Sequence, residues 1–263
     1  MCVRGMRQVD VLFPRIDTCL FARVSKRPTE ADSRSALKEF AGSNPSPRTV
    51  YVSAPSLLSF RLPIYSVMTP HILAVSTSPR RHGNSESALD TILAEIDGHA
   101  TAEKVVLADL AVAPCKGCGA CEKLGRCIQE DDFQPLAQKI LAADILILAS
   151  PVYSMSVCAQ AKALIDRCQV FWSQKYVLHT FAEPAGKKIG LFIATAGQTS
   201  GTIFDHTVPV ARFLFDVSGI KPKHTMLLLL NGLDKKTDFQ QNPAAVTRAK
   251  ETAAALLTAA EEL

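Results

Sequence analysis

Residues 71–96 read HILAVSTSPRRHGNSESALDTILAEI, and this stretch decides the fold. Its first six residues form a short apolar run that ends in Ser, Pro and Gly, which is typical of a buried parallel strand. Aliphatic residues then recur at the i, i+3, i+4 and i+7 positions of a helix, namely Leu89, Ile92, Leu93 and Ile96. The sequence therefore predicts a strand, a loop and a helix of about 84–98 that opens at Asn84 or Ser85.

The same alternation of buried strand and amphipathic helix continues to the end of the chain. Further strands are predicted at 104–110, 144–149, 189–195 and 224–230. Further helices are predicted from residue 131, along 157–168, over 203–218 and from 243 to 260. Five strands that alternate with five helices indicate an α/β protein with a doubly wound parallel sheet and helices on both faces.

Residues 1–67 have a different composition from the rest of the chain. They contain 10 Lys+Arg and 5 Asp+Glu, whereas residues 68–263 contain 19 and 20. Prolines interrupt the segment, and no period of 2 or 3.6 is sustained. We interpret it as a disordered or non-native extension, because Met68 directly precedes the first strand. A transit peptide and a nucleic-acid-binding arm are the alternatives.

The overall composition excludes several classes of protein. With 48% hydrophobic and 21% charged residues the chain is globular, and no apolar run reaches the roughly 20 residues of a membrane span. The basic excess lies in residues 1–67, so the net charge of +4 does not support nucleic-acid binding. We expect a soluble, cytoplasmic protein whose single domain is 68–263, without a nucleic-acid or membrane partner.

The loop after the first strand is the first candidate binding site. Parallel sheets bind ligands at the carboxyl ends of their strands. The loop lacks both the G-x-G-x-x-G and the G-x-x-x-x-G-K-[ST] fingerprints. Its hydroxyls, its amide and the N–H groups at the start of a helix suit a permanently held monophosphate. An ordinary Ser/Asn-capped turn is the alternative.

Three segments carry motifs of a known family. Residues 78–85 (SPRRHGNS) have the form S-x-R-x-x-(G/S)-N-(S/T), residues 150–156 read SPVYSMS, and residues 161–167 (AKALIDR) are similar to an L-K-x-F-I-D-R helix. In these segments the chain resembles the flavodoxin-like NAD(P)H-dependent FMN reductase family, and the resemblance spans 68–263. It implies a flavodoxin-like sheet of five strands in the order 2-1-3-4-5.

The resemblance also implies that FMN is the cofactor. The first loop would bind the phosphate, and the loops after the third and fourth strands would lie against the flavin ring. The residues predicted near the phosphate are Ser76, Ser78, Arg80, Asn84, Ser85 and Ser87. Those predicted near the ring are Pro151, Val152, Tyr153, Ser154, Thr195, Ala196, Gly197 and Gln198. The alternative for Tyr153 is a half-buried packing role at a strand end.

Four of the eight cysteines fall within 13 residues in the pattern C-x2-C-x2-C-x5-C, as Cys115, Cys118, Cys121 and Cys127. The first three have the spacing of the iron–sulfur run in bacterial ferredoxins. A structural zinc site more often has two C-x2-C pairs with a longer spacer. An iron–sulfur cluster, a zinc ion and uncoordinated thiols therefore remain open at this point.

The same spacing is similar to the compact motif of the iron-sulfur flavoproteins, a branch of the FMN reductase family. This resemblance implies that all four cysteines bind a [4Fe-4S] cluster on the cysteine-rich loop 111–129. Cys158 and Cys168 fall on the helix after the third strand and are expected to fill the core. Cys2 and Cys19 fall in residues 1–67.

Together these features predict an FMN-dependent oxidoreductase that moves electrons between FMN and the cluster. NAD(P)H or reduced ferredoxin would be the donor, and a quinone, an oxygen species or another carrier the acceptor. No catalytic side chain is expected, because the flavin carries the chemistry. The alternatives are an electron-transfer carrier without its own turnover and a zinc-stabilised binding module. A homo-oligomer is expected from the resemblance alone.

Overall fold

The computed structural model describes residues 69–262, and they contain a parallel sheet of five strands. The strands are β1 His71–Ser76, β2 Thr101–Val106, β3 Ile145–Tyr153, β5 Ile189–Thr195 and β6 Thr225–Leu230, with a two-residue strand β4 Ser156–Val157. The order is β2-β1-β3-β5-β6, and β4 pairs antiparallel with the end of β3. Without β4, this is the predicted order 2-1-3-4-5, which confirms the flavodoxin-like topology.

Residues 69–262 also contain seven α-helices, most of which pack on the two faces of the sheet. They are α1 Asn84–Ile96, α2 Ala120–Leu124, α3 Phe133–Ala142, α4 Ala159–Arg167, α5 Gln169–Trp172, α6 Thr207–Val217 and α7 Pro243–Ala260. Successive side chains of β1 point to opposite faces. Ile72 and Ala74 therefore pack under α1 and α7, while Leu73 and Val75 join the core under α3, α4 and α6.

Two predicted boundaries at the start of elements are wrong. The second strand is Thr101–Val106 rather than 104–110, because it pairs residue by residue with β1 and β1 ends at Ser76. A 3₁₀ turn follows it. The helix predicted from residue 131 begins at Phe133, because the Asp131 carboxylate accepts the Phe133 N–H and so precedes the helix.

Three further features differ from the predicted boundaries. The third strand continues to Tyr153 and turns back into β4, where the sequence predicts a loop. The helix predicted from 203 begins at Thr207, because short turns closed by bonds such as Ile203 N–H to Ser200 O precede it. The cysteine-rich loop contains the short helix α2.

Within residues 69–262, no helix is long and apolar enough to cross a membrane. The predictions for residues 1–67 and for Met68 as a start concern residues outside those that the structure describes. Cys158 and Cys168 are fully buried, which confirms their predicted place in the core. Burial raises the pKa of the Cys168 thiol.

Candidate functional site: a cleft and a cysteine loop at one edge of the sheet

The carboxyl ends of β1, β3 and β5 border a cleft of about 160 Å³. The strand register brings Ser76 beside Ala149 and Pro151 beside Thr195, so the loops that follow these strands are neighbours. Nine of the residues predicted to bind FMN line the cleft, namely Ser78, Arg80, Asn84, Ser85, Pro151, Val152, Tyr153, Thr195 and Gly197. Three loops that are distant in sequence therefore meet where the topology predicts a ligand.

The first of these loops leaves room and hydrogen-bond donors for an anion. A Cβ built on Gly83 would lie 3.3 Å from the Arg80 carbonyl oxygen and 3.8 Å from the Ser78 hydroxyl, so glycine keeps this space clear. The Ser85 hydroxyl makes no hydrogen bond to another described residue. The first N–H groups of α1 have no partner within the helix. Together with Arg80, which forms no ion pair among the described residues, they can receive a phosphate.

A buried carboxylate fixes this loop from below. The side chain of Glu86 is fully buried, accepts the His82 N–H and pairs with Lys104 at 2.9 Å and Arg81 at 3.3 Å. Burial raises the pKa of Glu86, but the hydrogen bonds from Lys104, His82 and Arg81 outweigh it, so the pKa is lowered to about 2. The ionised carboxylate holds His82 in its left-handed conformation, with φ of 54°.

Asn84 connects the same loop to the segment that follows β6. Its amide nitrogen donates to the carbonyls of Leu233 at 3.0 Å and Lys235 at 2.8 Å, and its oxygen accepts the Phe239 N–H at 3.0 Å. The side chain of Asn84 is thus used as a clamp between two segments. Its backbone N–H, in the first turn of α1, is the group left to meet a ligand.

Five predicted binding residues do not line the cleft. Ser76 and Ala196 are buried, and the Ser76 hydroxyl has no partner in the described part of the chain. Ser87 accepts a hydrogen bond from Gln240 instead. Ser154 lies in the β3–β4 turn, and the carbonyl of Gln198 accepts the Gly232 N–H. Their roles in binding remain predictions.

The β3–β4 hairpin carries Tyr153 over the cleft. Ser154 and Met155 both have positive φ, 49° and 66°, as a tight two-residue hairpin turn requires. Neither residue is glycine, so the turn holds backbone strain of the kind that is concentrated at functional sites. The Tyr153 ring lies 6.0 Å from the guanidinium carbon of Arg80, which joins the hairpin to the first loop.

The sequence reasoning missed the segment after β6. Leu233, Asp234 and Lys236 also line the cleft. A Cβ on Gly197 would lie only 2.7 Å from the Asp234 carboxylate oxygen, so glycine at 197 allows the two loops to approach. The polar Asn-Gly-Leu-Asp-Lys-Lys sequence at the carboxyl end of the fifth strand is the signal that would have identified this segment.

The loop after β2 carries the four cysteines and is closed at its base by hydrogen bonds. We call this base the neck; it consists of residues 111–114 and 129–132. Ala111 N–H donates to Asp132 at 2.7 Å, and Ala113 N–H donates to Asp131 at 3.0 Å. The side-chain amide of Gln129 donates to the Pro114 carbonyl at 3.2 Å.

Arg167, the last residue of α4, lies beneath the neck with a fully buried side chain. Its two Nη atoms donate to the Asp131 carboxylate at 2.7 and 2.9 Å. The same atoms donate to the carbonyls of Ala113 at 2.8 Å and Gln129 at 3.3 Å. One guanidinium therefore joins the segment before the first cysteine to the segment after the last, while its face covers the Phe133 ring at 4.5 Å.

A family model described as NADPH-dependent FMN reductase matches residues 70–219. The chain belongs to this family. The match extends over all three loops of the cleft, the cysteine loop and the hairpin. The match with the family model confirms the family that the sequence motifs predict, and the strand order confirms the fold class.

Curated relatives of this FMN reductase family member include proteins named iron-sulfur flavoprotein. One from Archaeoglobus fulgidus is 42% identical over 91 residues, which are 34% of this chain and 41% of that protein. One from Methanosarcina thermophila is 34% identical over 132 residues, 49% of this chain and 65% of that protein. The chain spans about half the length of the curated relatives it matches.

Among solved structures, an NAD(P)H:quinone oxidoreductase from Methanothermobacter marburgensis is similar in fold to this family member. The TM-score is 0.52 at 16% identity, and the likeness covers 72% of this chain and 97% of that one. At this identity the likeness bears on the fold alone.

The cysteine loop offers four thiols that could bind a metal centre. All four thiols are free, Cys115 and Cys118 exposed and the other two half-buried. Tetrahedral zinc, about 2.3 Å from each sulfur, needs sulfurs within about 4 Å of one another. Within residues 69–262, no metal-binding group with all its ligand atoms within 4.8 Å of one another includes a cysteine. A four-iron cluster binds each sulfur through a different iron and so accepts wider spacing.

The backbone around the cysteines also suits such a cluster. Gly117 and Gly119 both have positive φ, 62° and 69°, on either side of Cys118, and no atom would lie within 4 Å of a Cβ on either one. The Gly117 N–H donates to the Cys115 sulfur at 3.4 Å, and the Ser173 hydroxyl donates to the Cys121 sulfur at 3.4 Å. Donors are thus already directed at two of the four sulfurs.

Proposed function

We propose that this chain is an FMN-dependent oxidoreductase that moves electrons between FMN in the cleft and a [4Fe-4S] cluster on the cysteine loop. NAD(P)H or reduced ferredoxin would supply the electrons, and a quinone or another carrier would receive them. The observation that carries the proposal is the meeting of the three family loops in one cleft at the sheet edge to which the cysteine loop also connects. Family membership supports the flavin part.

In the cleft, Ser78, Ser85 and the N–H groups at the start of α1 would hold the FMN phosphate, with Arg80 supplying charge. Pro151 to Tyr153 and Thr195 to Gly197 would face the ring. Bound FMN exchanges two electrons at once or one at a time, and the cluster exchanges one. The residues of the chain supply orientation and charge, so no acid or base side chain is required.

On the cysteine loop, Cys115, Cys118, Cys121 and Cys127 would bind the cluster. The names of the curated relatives support this assignment, as does the spacing of the four cysteines in the sequence. The glycines around Cys118 give the loop the freedom to bring four sulfurs to one centre. The neck would hold the two ends of the loop together while the cysteines between them bind the cluster.

A second candidate function is an electron carrier without turnover of its own. The exposure of the Cys115 and Cys118 thiols favours it, because a cluster bound there would be accessible to a protein partner. Slow oxidation of NAD(P)H together with fast exchange with ferredoxin would favour the carrier over the reductase.

The proposal also includes a homo-oligomer. Light scattering of the full chain tests this by measuring its molar mass in solution.

The test is an anaerobic purification of the full chain with counts of FMN, iron and sulfide. We expect one FMN with four irons and four sulfides per chain, and a broad visible absorption that Cys118→Ala abolishes. Cys168→Ala, which alters a buried cysteine outside the loop, is the matched control and should keep the absorption. One FMN without iron contradicts the cluster, zinc without iron supports the binding-module alternative, and iron without FMN contradicts the flavin site.

A further inference from the structure

One hydrogen-bond donor beneath the cysteine loop has no acceptor. The Nε of Arg167 is buried and makes no hydrogen bond within the described part of the chain, although both Nη atoms are fully used. A buried donor without an acceptor lowers the stability of the protein, and more so on a charged group. Such groups are rare in native proteins and call for an explanation.

The candidate acceptor is the sulfur of Cys127. Cys127 precedes Gln129 and Asp131, which both bind the same guanidinium, by two and four residues. Its half-buried side chain packs against the core that lies under α4. Gln129 and Asp131, which accept hydrogen bonds from the guanidinium, therefore also hold the chain segment of Cys127 near it.

We propose that Arg167 is a positioning residue for the cluster, donating its Nε–H to the Cys127 sulfur when that thiolate binds iron and raising the reduction potential of the cluster. This inference rests on the proposed function, because it requires the cluster. Reduction adds one negative charge, so a fixed positive charge and an N–H donor stabilise the reduced cluster more than the oxidised one. Hydrogen bonds to ligand sulfurs are a main means by which proteins adjust such potentials.

The two parts of the guanidinium have separable roles. The Nη atoms hold the neck, and the Nε remains for the sulfur. Lysine at position 167 keeps the positive charge but cannot supply the fork of donors that spans both segments. Asp131→Asn weakens the neck and leaves the guanidinium with its Nε–H in place. A role confined to the neck would make both substitutions act in the same direction on the cluster.

The test is the midpoint potential of the cluster in the full chain, loaded anaerobically and followed by electron paramagnetic resonance. Arg167→Gln should lower the potential, with a change of about tenfold in the reduction equilibrium, or about 59 mV for one electron. Arg167→Lys should restore part of the loss. Asp131→Asn removes a negative charge and should not lower the potential. Lys162→Gln, an exposed charge on the same helix, is the matched control and should leave it unchanged.

A second measurement does not depend on the stability of Arg167→Gln. Full-length protein with ¹⁵N only in the arginine guanidinium groups should show a ¹⁵N hyperfine coupling to the reduced cluster, and Arg167→Lys should lose it. Absence of the coupling in the iron-replete wild type, or unchanged potentials in iron-replete Arg167 variants, overturns the role of Arg167 and leaves the cluster standing. A wild type that binds no iron contradicts the cluster itself, and the role of Arg167 with it.

Discussion

The two loops of the candidate site are built in opposite ways. The first loop, residues 77–83, is short and is fixed along its length by the buried Glu86 carboxylate and by the amide clamp of Asn84. The cysteine loop is long, two of its four thiols are exposed, and hydrogen bonds hold it at the neck and just after α2, where the Gln174 side chain donates to the Gly125 carbonyl at 2.7 Å. The candidate phosphate site is therefore formed by the protein alone, whereas the exposed segment of Cys115 and Cys118 is left to the proposed cluster.

This difference has a thermodynamic consequence. A site held by protein hydrogen bonds contributes to the stability of the empty protein, whereas a site completed by metal ligation gains its stability on binding. Substitutions in the first loop should thus change the free energy of unfolding without metal. Substitutions in the segment of Cys115 and Cys118 should change metal binding with little effect on the stability of the empty protein. Substitutions in the neck should change both the free energy of unfolding and metal binding.

The largest effect is expected at the neck. Asp131→Ala leaves the guanidinium of Arg167 buried without its carboxylate, and breaking a buried pair in this way costs about 3–5 kcal/mol. Urea denaturation of the metal-free protein measures this loss, and iron content after reconstitution should fall with it. Asp132→Ala removes one exposed acceptor from the same neck and should cost about 1 kcal/mol. Equal losses in the two variants would contradict the role of the buried pair.

The next largest effect is a dependence of the free energy of unfolding on pH, caused by the Glu86 carboxylate that fixes the first loop. Because the pKa of Glu86 is lowered to about 2 in the folded protein, its contribution is fully present above about pH 4.5 and is lost as the pH falls toward 2. The depression corresponds to about 3 kcal/mol. Urea denaturation should therefore show wild type more stable than Glu86→Gln at pH 6, with the gap narrowing toward pH 3. A gap that does not change with pH would show that charge plays no part.

Much of this arrangement follows from sequence patterns. The buried run 71–76 and the aliphatic stripe of α1 follow from periodicity, so they predict the first strand, the first helix and the loop between them, whereas the sheet order is implied by the family resemblance. The cysteine spacing and the hairpin sequence 150–156 likewise locate two parts of the site. These signals are local; β1 and the start of α1 form where expected, whereas residues 150–156 form a hairpin where the sequence predicts a loop.

The contacts between distant segments could not be predicted in the same way. Asn84 looks like a phosphate ligand in the sequence, but its amide clamps residues 233–239, about 150 positions away. Arg167 belongs to a helix motif, and only the fold shows that it is buried beneath the neck. The second strand ends at Val106 because its neighbour ends, which no property of residues 107–110 reveals.

A smaller effect is expected from the clamp itself. Asn84→Ala removes three hydrogen bonds and leaves the buried Phe239 N–H unsatisfied, which should cost about 2 kcal/mol. It should also weaken FMN binding, because Asp234 and Lys236 are no longer held at the cleft, while iron content stays unchanged. Asn231→Ala removes a single exposed hydrogen bond after the same strand and is the matched control. Loss of iron in Asn84→Ala would show that the two loops are not independent.

The smallest effect separates two neighbouring serines of the first helical turn. Ser85 lines the cleft with a free hydroxyl, whereas Ser87 lies outside it and accepts a bond from Gln240. Ser85→Ala should weaken FMN binding about tenfold, the 1.4 kcal/mol expected for one hydrogen bond to a charged phosphate. Ser87→Ala should leave FMN affinity unchanged, and neither should alter stability by more than about 1 kcal/mol. Fluorescence titration with FMN measures both, and equal affinities would mean that the backbone N–H groups of α1 hold the phosphate without the hydroxyl.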